Sequence, residues 1–298
     1  MLPAVPHPPV SKRPTIAIVG PGNLGSALAS TLSAAGYRVT SIAVPSGRAV
    51  KREAKDLARR IGARLIESGK GPLAGDLVWI AVPDDKIAGV ARLLARGGDW
   101  RGKVVFHSSG ALSSNELAPL RAKGAHVASV HPMMTFVRNV VPEMANVAFA
   151  LEGNRAALHL ARSIVDDLGG HAFIINKQNK ALYHVFGSFA SPLVIALMAT
   201  LEQVALAAGI RKRDIKRVML PLLLQTLRNY LEHDAAMAFS GPLVRGDVVT
   251  IRKHLAALEK LPEARAVYVA LAKAAAKQLP VRNPRGIELQ LASPLQKT

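Results

Sequence analysis

The 298-residue chain contains no cysteine. Disulfide bonds, thiolate metal ligands and a cysteine nucleophile are therefore excluded. The nine histidines follow neither the H-x-x-x-H nor the H-E-x-x-H spacing that is typical of zinc sites, so we expect no metal centre. The absence of cysteine is also compatible with a reducing compartment, and we expect a cytoplasmic protein.

Acidic and aromatic residues are scarce. The chain has 20 Asp and Glu residues against 39 Lys and Arg residues, a formal net charge of +19, and only 4% of its residues are aromatic. Nucleic-acid-binding proteins carry such a charge, but here the excess is spread along the chain, and the aromatic side chains on which single strands stack are few. We therefore expect no nucleic-acid partner. The positive field suits small anionic substrates and cofactors.

The chain also lacks a long uninterrupted apolar segment. Residues 1–14 contain five prolines and no apolar run, which predicts a disordered tail rather than a signal peptide. The longest apolar run, 185–201, has about 17 residues and contains Ser188, Ser191 and Pro192, whereas a membrane span usually needs about 20. We therefore expect a buried or interface helix and no membrane partner.

A glycine-rich motif follows the apolar run 16–19 and precedes a helical pattern over 26–32. Its residues are Gly20, Pro21, Gly22, Asn23, Leu24 and Gly25. The first glycine permits a tight turn, the second lets the backbone approach a pyrophosphate, and the third lets helix and strand pack closely. Phosphates then bind the free N–H groups at the start of the helix. The motif predicts a dinucleotide site, and the alternative is a glycine-rich turn that binds nothing.

Strand and helix patterns alternate from residue 15 to about 176, after which only helical patterns remain. The alternation predicts an α/β fold, a Rossmann-type mostly parallel sheet domain followed by an all-α C-terminal domain. The predicted domains are a disordered tail (1–14), a dinucleotide-binding Rossmann domain (15–176) and a helical substrate-binding and dimerisation domain (177–298). Strands are expected at 15–19, 38–44, 63–66, 76–82, 103–107, 126–130, 147–151 and 171–175, and helices between them at 24–35, 47–61, 84–97, 113–123 and 154–168.

In the helical half, the pattern predicts one long helix over 178–208, kinked at Pro192. Further helices are expected at 211–233, 247–260 and 262–279, followed by an irregular tail at 280–298. Because the first of these helices is too apolar for one small bundle to cover, we expect two helical domains to pack together in a homodimer.

Several further motifs accompany the glycine-rich one. They are Ala81-Val82-Pro83-Asp84-Asp85, His107-Ser108-Ser109-Gly110-Ala111, His131-Pro132-Met133-Met134-Thr135-Phe136, Lys180-Ala181-Leu182-Tyr183-His184 and Gly241-Pro242-Leu243-Val244-Arg245-Gly246-Asp247. Together they resemble a family of Rossmann-like NADP oxidoreductases that carry a helical C-terminal domain of unknown function. This family is related to pyrroline-5-carboxylate reductase and to the 3-hydroxyisobutyrate and 6-phosphogluconate dehydrogenases. The resemblance spans roughly residues 15–275 and implies a dehydrogenase or reductase without naming its substrate.

The second predicted strand ends near Val44 without the acidic residue that usually binds the ribose 2′-hydroxyl of NAD. Ser46 and Arg48 follow instead, a hydroxyl and a cation that suit the 2′-phosphate of NADP. The alternative is that Arg48 belongs to a solvated basic helix face. The small residues at the end of a buried strand, Ala81, Val82 and Pro83, would let the cofactor pass close to the backbone.

Five polar residues are candidates for catalysis or for binding the nicotinamide. Ser108 and Ser109 follow a core strand and either hydrogen-bond the nicotinamide or substrate, or cap their loop. His131 also ends a strand and is either structural or catalytic. Lys180 and His184 are four residues apart on one helix face, and related dehydrogenases place a proton-donating lysine near the start of this helix. The alternative for this pair is a lysine at the helix start and a hydrogen-bonded core histidine.

The segment that ends in Arg245 and Asp247 precedes a helix whose first turn contains Thr250. Free amides and an arginine at a helix start suit a carboxylate, although Asp247 is also an ordinary N-cap residue. Pyrroline-5-carboxylate reductases have an analogous loop that holds the substrate carboxylate. We therefore expect an NADP-dependent oxidoreductase that exchanges hydride with a C=O or C=N carbon of a small carboxylate-bearing substrate. The alternative is a non-catalytic NADP-binding sensor or scaffold, which Met134 and Pro192 favour because relatives have polar residues there.

Overall fold

The computed structural model describes residues 13–45, 52–68, 70, 73–137 and 140–292. Contacts within the chain divide it into two units, Met1–Ser188 and Phe189–Thr298. The first unit contains an eight-stranded sheet and its covering helices, and the second is helical. The predicted fold class, a Rossmann-type sheet followed by a helical region, is therefore confirmed.

The sheet has the strand order β3-β2-β1-β4-β5-β6-β7-β8. Neighbouring strands are parallel except β6 and β7, which are antiparallel, so the sheet is mostly parallel as predicted. The strands are β1 Ile16–Val19, β2 Val39–Val44, β3 Arg64–Glu67, β4 Leu77–Ile80, β5 Val104–His107, β6 His126–Pro132, β7 Ala148–Gly153 and β8 His171–Ile174.

Helices cover both faces of this sheet, because its central strands are apolar on both sides. In β1, Ile16 and Ile18 enter one buried cluster, whereas Ala17 and Val19 enter another on the opposite face. The helices of this unit are α1 Asn23–Ala34, α2 Arg52–Arg60, α3 Asp84–Ala95, α4 Ala118–Arg121, α5 Arg155–Asp167 and most of α6 Lys180–Ala190. Short 3₁₀ turns at Ser114–Leu117 and Lys177–Asn179 precede α4 and α6.

The second unit is built from seven helices among its described residues. They are α7 Pro192–Ala207, α8 Lys212–Glu232, α9 Ala235–Ala238, α10 Pro242–Arg245, α11 Val248–Ala257, α12 Pro262–Gln278 and α13 Pro284–Ala292. A small apolar core that includes Ile251, Leu255 and Ala272 holds α11, α12 and α13 together.

Two expectations for the helical half were wrong. The predicted single helix over 178–208 is two helices, because Pro192 has no N–H group to continue the ladder and Ser191 before it leaves the helical conformation. The predicted irregular tail contains α13. Ile287 and Leu291 lie four residues apart and are buried on one face of that helix, a short apolar period at the chain end.

Candidate active site

The glycine-rich loop between β1 and α1 has the geometry that its sequence predicts. Gly20 has φ of +97°, and a Cβ there would lie 2.7 Å from the carbonyl oxygen of Ala81. A Cβ at Gly25 would lie 2.0 Å from the carbonyl oxygen of Gly20, so helix and loop touch through backbone atoms. A Cβ at Gly22 would meet no atom within 4 Å. The second glycine therefore borders open space at the start of α1, where a phosphate binds backbone N–H groups.

A cavity of about 570 Å³ opens beside this loop. It is bordered by the glycine loop, by the ends of β2 and β4, by one face of α2 and by part of the segment after β6. The lining residues from the glycine loop and from the ends of β2 and β4 include Gly20, Pro21, Gly22, Asn23, Val44, Ala81, Val82 and Pro83. The loop, the free helix start and the small residues at the β4 end fit a dinucleotide.

The α2 side of this cavity contains both signs of charge. Glu53, Asp56 and Arg60 on α2 line the cavity. Asp56 is also paired with Arg59 at 3.3 Å. Ser46 and Arg48, the predicted partners of a 2′-phosphate, lie outside the described residues, so their role stays a prediction.

The loop after β5 is held by its own polar side chains. Ser108 Oγ accepts a hydrogen bond from Trp79 Nε1 at 2.7 Å, and Ser109 Oγ donates to Asp84 Oδ2 at 2.8 Å. Ser109 Oγ also accepts from the backbone N–H groups of Ala111 and Leu112. Both serines are thus engaged in fixing the β5 end to β4 and α3, which corresponds to the loop-capping alternative. Their contact with a cofactor or substrate stays a prediction.

Lys180, the first residue of α6, is 1% exposed. Its Nζ donates to Ser129 Oγ on β6 at 2.6 Å and to the carbonyl oxygen of Ser109 at 3.0 Å. Burial lowers the pKa of Lys180 to about 8, although the carboxylates of Glu152 and Asp84 act in the opposite direction. The ammonium therefore ties α6 to the ends of β5 and β6 and titrates closer to neutral pH than a free lysine.

His131 near the end of β6 is paired with a tyrosine that the sequence analysis did not single out. Its Nδ1 is hydrogen-bonded to the Tyr183 hydroxyl at 2.8 Å, and the two rings are perpendicular with centroids 5.5 Å apart. The ring of His184 lies 6.1 Å from that of His131. A Cβ at Gly110 would lie 2.6 Å from His184 Cδ2 and 2.9 Å from His131 Nε2. The backbone after β5 therefore packs directly against both imidazoles.

Burial keeps these aromatic groups neutral. It lowers the pKa of His131 to about 4, assisted by the nearby charges of Lys180, His184 and His107, and it raises the pKa of Tyr183 to about 12. Burial also lowers the pKa of His107 to about 4. At neutral pH the pair of His131 and Tyr183 carries no charge, while His184 is exposed to solvent.

The structure brings together, within the first unit, the β4, β5 and β6 ends. Ile80 pairs with His107, which pairs with Ser129. Asn23 Nδ2 in the glycine motif donates to the carbonyl oxygen of Phe136 at 3.1 Å, which joins that motif to the segment after β6. The predicted residues Lys180, His131 and Ser109 thus form one cluster at the sheet edge that also carries the cavity.

Three contributors to this cluster were given no role from the sequence, although Tyr183 and Gly110 stand in two of its motifs. Tyr183 lies three residues after Lys180 and therefore on the same helix face. The sequence alone shows this spacing, so it could have identified Tyr183. Ser129 and Gly110 gave no such signal, because their importance comes from packing between strands and a helix that are distant in sequence. Among the residues that the structure describes, no group of three or more His, Asp or Glu side chains is arranged to hold a metal.

The predicted substrate loop lies in the second unit. Asp247 caps α11, because its Oδ1 accepts from the Thr250 N–H at 3.0 Å and its Oδ2 accepts from Thr250 Oγ1 at 2.7 Å. These bonds lower the pKa of Asp247. Asp247 and Thr250 are thus committed to each other as a helix cap. Substrate binding by these two residues and by Arg245 stays a prediction.

Two family models match the chain. The model for Rossmann-like domains matches residues 9–132, and the model for a domain of unknown function, DUF2520, matches residues 147–275. A search of curated proteins finds no match.

Solved structures share the fold over nearly the whole chain. A protein of Bacteroides fragilis described as a candidate NADP oxidoreductase has a TM-score of 0.73 at 20% identity, over 88% of this chain and 97% of that one. An imine reductase from Myxococcus stipitatus in complex with NADP⁺ has a TM-score of 0.63 at 18% identity, over 89% and 94%. A pyrroline-5-carboxylate reductase from Coxiella burnetii has a TM-score of 0.56 at 19% identity, over 88% and 98%. At these identities the likeness shows the fold. The chain therefore carries a Rossmann-like domain followed by a DUF2520 domain, as its motifs predicted.

Proposed function

We propose that the protein is an NADP-dependent oxidoreductase that transfers a hydride between nicotinamide and a C=O or C=N carbon of a small carboxylate-bearing substrate. The observation that carries this proposal is that the glycine-lined cavity and the cluster around Lys180 lie at the same sheet edge of one unit. Asp84 links them, because it follows the cavity residue Pro83 and accepts the hydrogen bond of Ser109. Ligands of open α/β sheets bind at such carboxyl edges.

The cofactor supplies the hydride chemistry, and the chain supplies binding, orientation and a proton. The start of α1 would hold the pyrophosphate, with Gly22 giving the backbone access that a side chain would block. Ser46 and Arg48 would bind the 2′-phosphate, and the β4 end at Ala81 would let the dinucleotide cross the sheet edge. The absence of an acidic residue at the end of β2 supports NADP over NAD, although similar structures include one described with NAD⁺.

The proton would come from Lys180 or His184, the pair that the helix spacing indicated. A lysine whose pKa is lowered to about 8 is partly deprotonated in mildly alkaline solution, which suits a group that gives and regains a proton. His184 is exposed, and its ring lies beside position 110, where an added Cβ would be 2.6 Å from Cδ2. Ser108, Ser109 and His131 would orient the nicotinamide and the substrate heteroatom around that proton donor.

Arg245 would anchor the substrate carboxylate, with the cap formed by Asp247 and Thr250 holding its loop in shape. The names of two similar structures, an imine reductase and a pyrroline-5-carboxylate reductase, support the C=N form of this substrate class. Cationic side chains would thus bind both the 2′-phosphate of the cofactor and the carboxylate of the substrate. This use agrees with the formal charge of +19.

A homodimer in the cytoplasm completes the proposal. Large apolar side chains are exposed along α6, α7 and α8, among them Phe186 (59%), Ile195 (64%) and Leu222 (70%). Exposed apolar patches of this kind mark interfaces. By length and composition alone, the helical stretch Lys177–Ala207 also passes as a membrane span. Sedimentation of the full chain at micromolar concentration without detergent should show a dimer. A monomer would contradict the dimer, and a chain that floats with lipid vesicles would contradict the cytoplasmic location.

A non-catalytic NADP sensor is the second candidate. It is favoured by Lys180, whose ammonium is enclosed and already satisfied by two acceptors. The discriminating experiment is NADPH oxidation by the purified chain against a panel of keto acids and cyclic imines, with NADPH binding measured in parallel. Turnover of any carboxylate-bearing member supports the oxidoreductase. NADPH binding without turnover across the panel supports the sensor.

A further inference from the structure

We propose that Tyr183 and Gly110 are positioning residues that fix His131 as a neutral hydrogen-bond donor toward the substrate heteroatom, with Nδ1 accepting from Tyr183 and Nε2 carrying the hydrogen. The catalytic part of this inference rests on the proposed function. The tautomer that it assigns does not, because it follows from the contacts of the ring.

The first step concerns Nδ1. Tyr183 is 8% exposed, and a buried phenol hydrogen needs an acceptor. The structure places His131 Nδ1 at 2.8 Å from that hydroxyl. If the hydroxyl donates to Nδ1, the single hydrogen of the neutral imidazole lies on Nε2.

The second step concerns charge. The titratable groups that face His131 are Lys180, Tyr183 and His184 on α6 and His107 on β5. Lys180 brings its positive charge to Ser129, two residues before His131 on the same strand and therefore on the same face. This charge and burial both oppose protonation of His131, whose pKa is held at about 4. At neutral pH the ring donates a hydrogen bond without carrying a charge or losing its proton.

The third step concerns the Nε2 edge. A methyl group at position 110 would lie 2.9 Å from His131 Nε2 and 2.6 Å from His184 Cδ2. Glycine at this position therefore lets the loop that follows β5 approach the Nε2 edge of the ring without a side chain that would clash with the proposed donor. In the reaction, a C–H bond of the reduced nicotinamide would break as its hydride forms the new C–H bond of the substrate. The π electrons of C=O or C=N would move to the heteroatom, where a proton from Lys180 or His184 would form the new O–H or N–H bond. His131 would stabilise the developing negative charge by its hydrogen bond alone.

The chain offers matched controls for both positions. His254 Nδ1 and the Tyr268 hydroxyl form a second histidine–tyrosine pair at 3.1 Å in the second unit. Gly187 lies on α6, and a Cβ there would meet no atom within 4 Å. Tyr268→Phe therefore repeats the loss of a phenol hydroxyl beside a different histidine, and Gly187→Ala repeats the change of glycine to alanine where the added methyl group has open space.

The test is ¹⁵N NMR of the histidine rings in the full-length chain, combined with kinetics. In the wild type, His131 should show a protonated Nε2 and an unprotonated Nδ1, and Tyr183→Phe should convert it to a mixture of tautomers. A protonated Nδ1 in the wild type, or an unchanged spectrum in Tyr183→Phe, would overturn the assignment. Tyr268→Phe should change the His254 signals only.

With a substrate from the panel, Tyr183→Phe and Gly110→Ala should lower kcat about 10²-fold, the scale for one oriented donor, while NADPH affinity and KM change less than about twofold. Gly187→Ala and Tyr268→Phe should leave kcat unchanged. Full kcat in Tyr183→Phe would overturn the role of Tyr183. A wild type that binds NADPH but turns over no substrate would overturn the proposed function and the use of His131, whereas the tautomer would still be decided by NMR.

Discussion

Lys180 Nζ lies 2.6 Å from Ser129 Oγ, so the first residue of α6 is joined to the sixth strand by a short charge-assisted hydrogen bond. The same ammonium donates to the Ser109 carbonyl after β5. One buried cation therefore holds a helix and two strand ends together at the edge where the cofactor cavity opens.

Lys180 can act as a proton donor or as a structural connection, and variants of Lys180 and Ser129 distinguish these two roles. Lys180→Met removes both the proton donor and the connection, and it should lower kcat by about 10²–10⁴, the range for general acid catalysis. Ser129→Ala removes one acceptor but keeps the amine, and it should lower the free energy of unfolding by about 1–3 kcal/mol with a smaller effect on kcat. Steady-state kinetics and urea denaturation of both variants check this. An equal loss of kcat in the two variants would show that the lysine acts through structure.

Acidification should destabilise the protein through its buried histidines. His107 and His131 have pKa values of about 4 when folded, against about 6.5 for a free histidine, so below pH 6.5 the unfolded chain binds more protons. Their neutral forms stabilise the fold above pH 6.5, and this advantage is lost as the pH falls toward 4. For the fully buried His107 the loss should be about 3 kcal/mol.

Urea denaturation at pH 7.5, 6, 5 and 4.5 measures this dependence. His107→Gln should have a shallower fall in unfolding free energy than the wild type. The matched control is His233→Gln, which makes the same chemical change at an exposed position. A wild type whose stability is flat between pH 6.5 and 4.5 would contradict the burial argument.

Cofactor preference should depend on Arg48. NADPH should bind more tightly than NADH, and Arg48→Ala should narrow this difference by about 1–2 kcal/mol, the scale of one charge-assisted hydrogen bond. Titration calorimetry with both cofactors checks the change, and Arg52→Ala serves as a neighbouring basic control. Equal affinity of the wild type for the two cofactors would reject the assignment.

In the loop before α11, one residue should affect substrate binding and another should affect the stability of the fold. Arg245→Ala should raise KM for a carboxylate substrate with little change in kcat, because it would hold the substrate similarly in the ground and transition states. Asp247→Ala should lower the unfolding free energy with kcat unchanged, because it removes the helix cap on the Thr250 N–H. The result against the anchor would be an unchanged KM in Arg245→Ala for every substrate that carries a carboxylate.

The sequence allowed the sheet and the glycine loop to be predicted because both rest on local patterns. Ile16–Val19 is an uninterrupted apolar run, and the spacing from Gly20 to Gly25 is set by one turn and one helix start. The sequence could not show that Pro192 separates two helices rather than bending one helix. That outcome depends on how the chain before the proline leaves the helix.

The candidate site was predictable only in part. Lys180 and His184 were found from their helical spacing, but the acceptors of Lys180 come from residues on β5 and β6 that are distant in sequence. Tyr183 was missed because a tyrosine on an apolar helix is usually a core residue. Its role depends on a hydrogen bond to His131 that only the fold creates.

The most direct test of the account is NADPH binding by the full chain in titration calorimetry, compared with Gly22→Val. Position 22 has φ of −75° and open space where a side chain would lie, so the variant should fold, with only a small fall in melting temperature from replacing the glycine N-cap of α1. The account predicts that the wild type binds one NADPH per chain and that Gly22→Val loses at least about 10²-fold in affinity, because the side chain would occupy the place of the pyrophosphate. A wild type that does not bind NADPH, or a well-folded Gly22→Val that binds it equally tightly, would contradict the dinucleotide site.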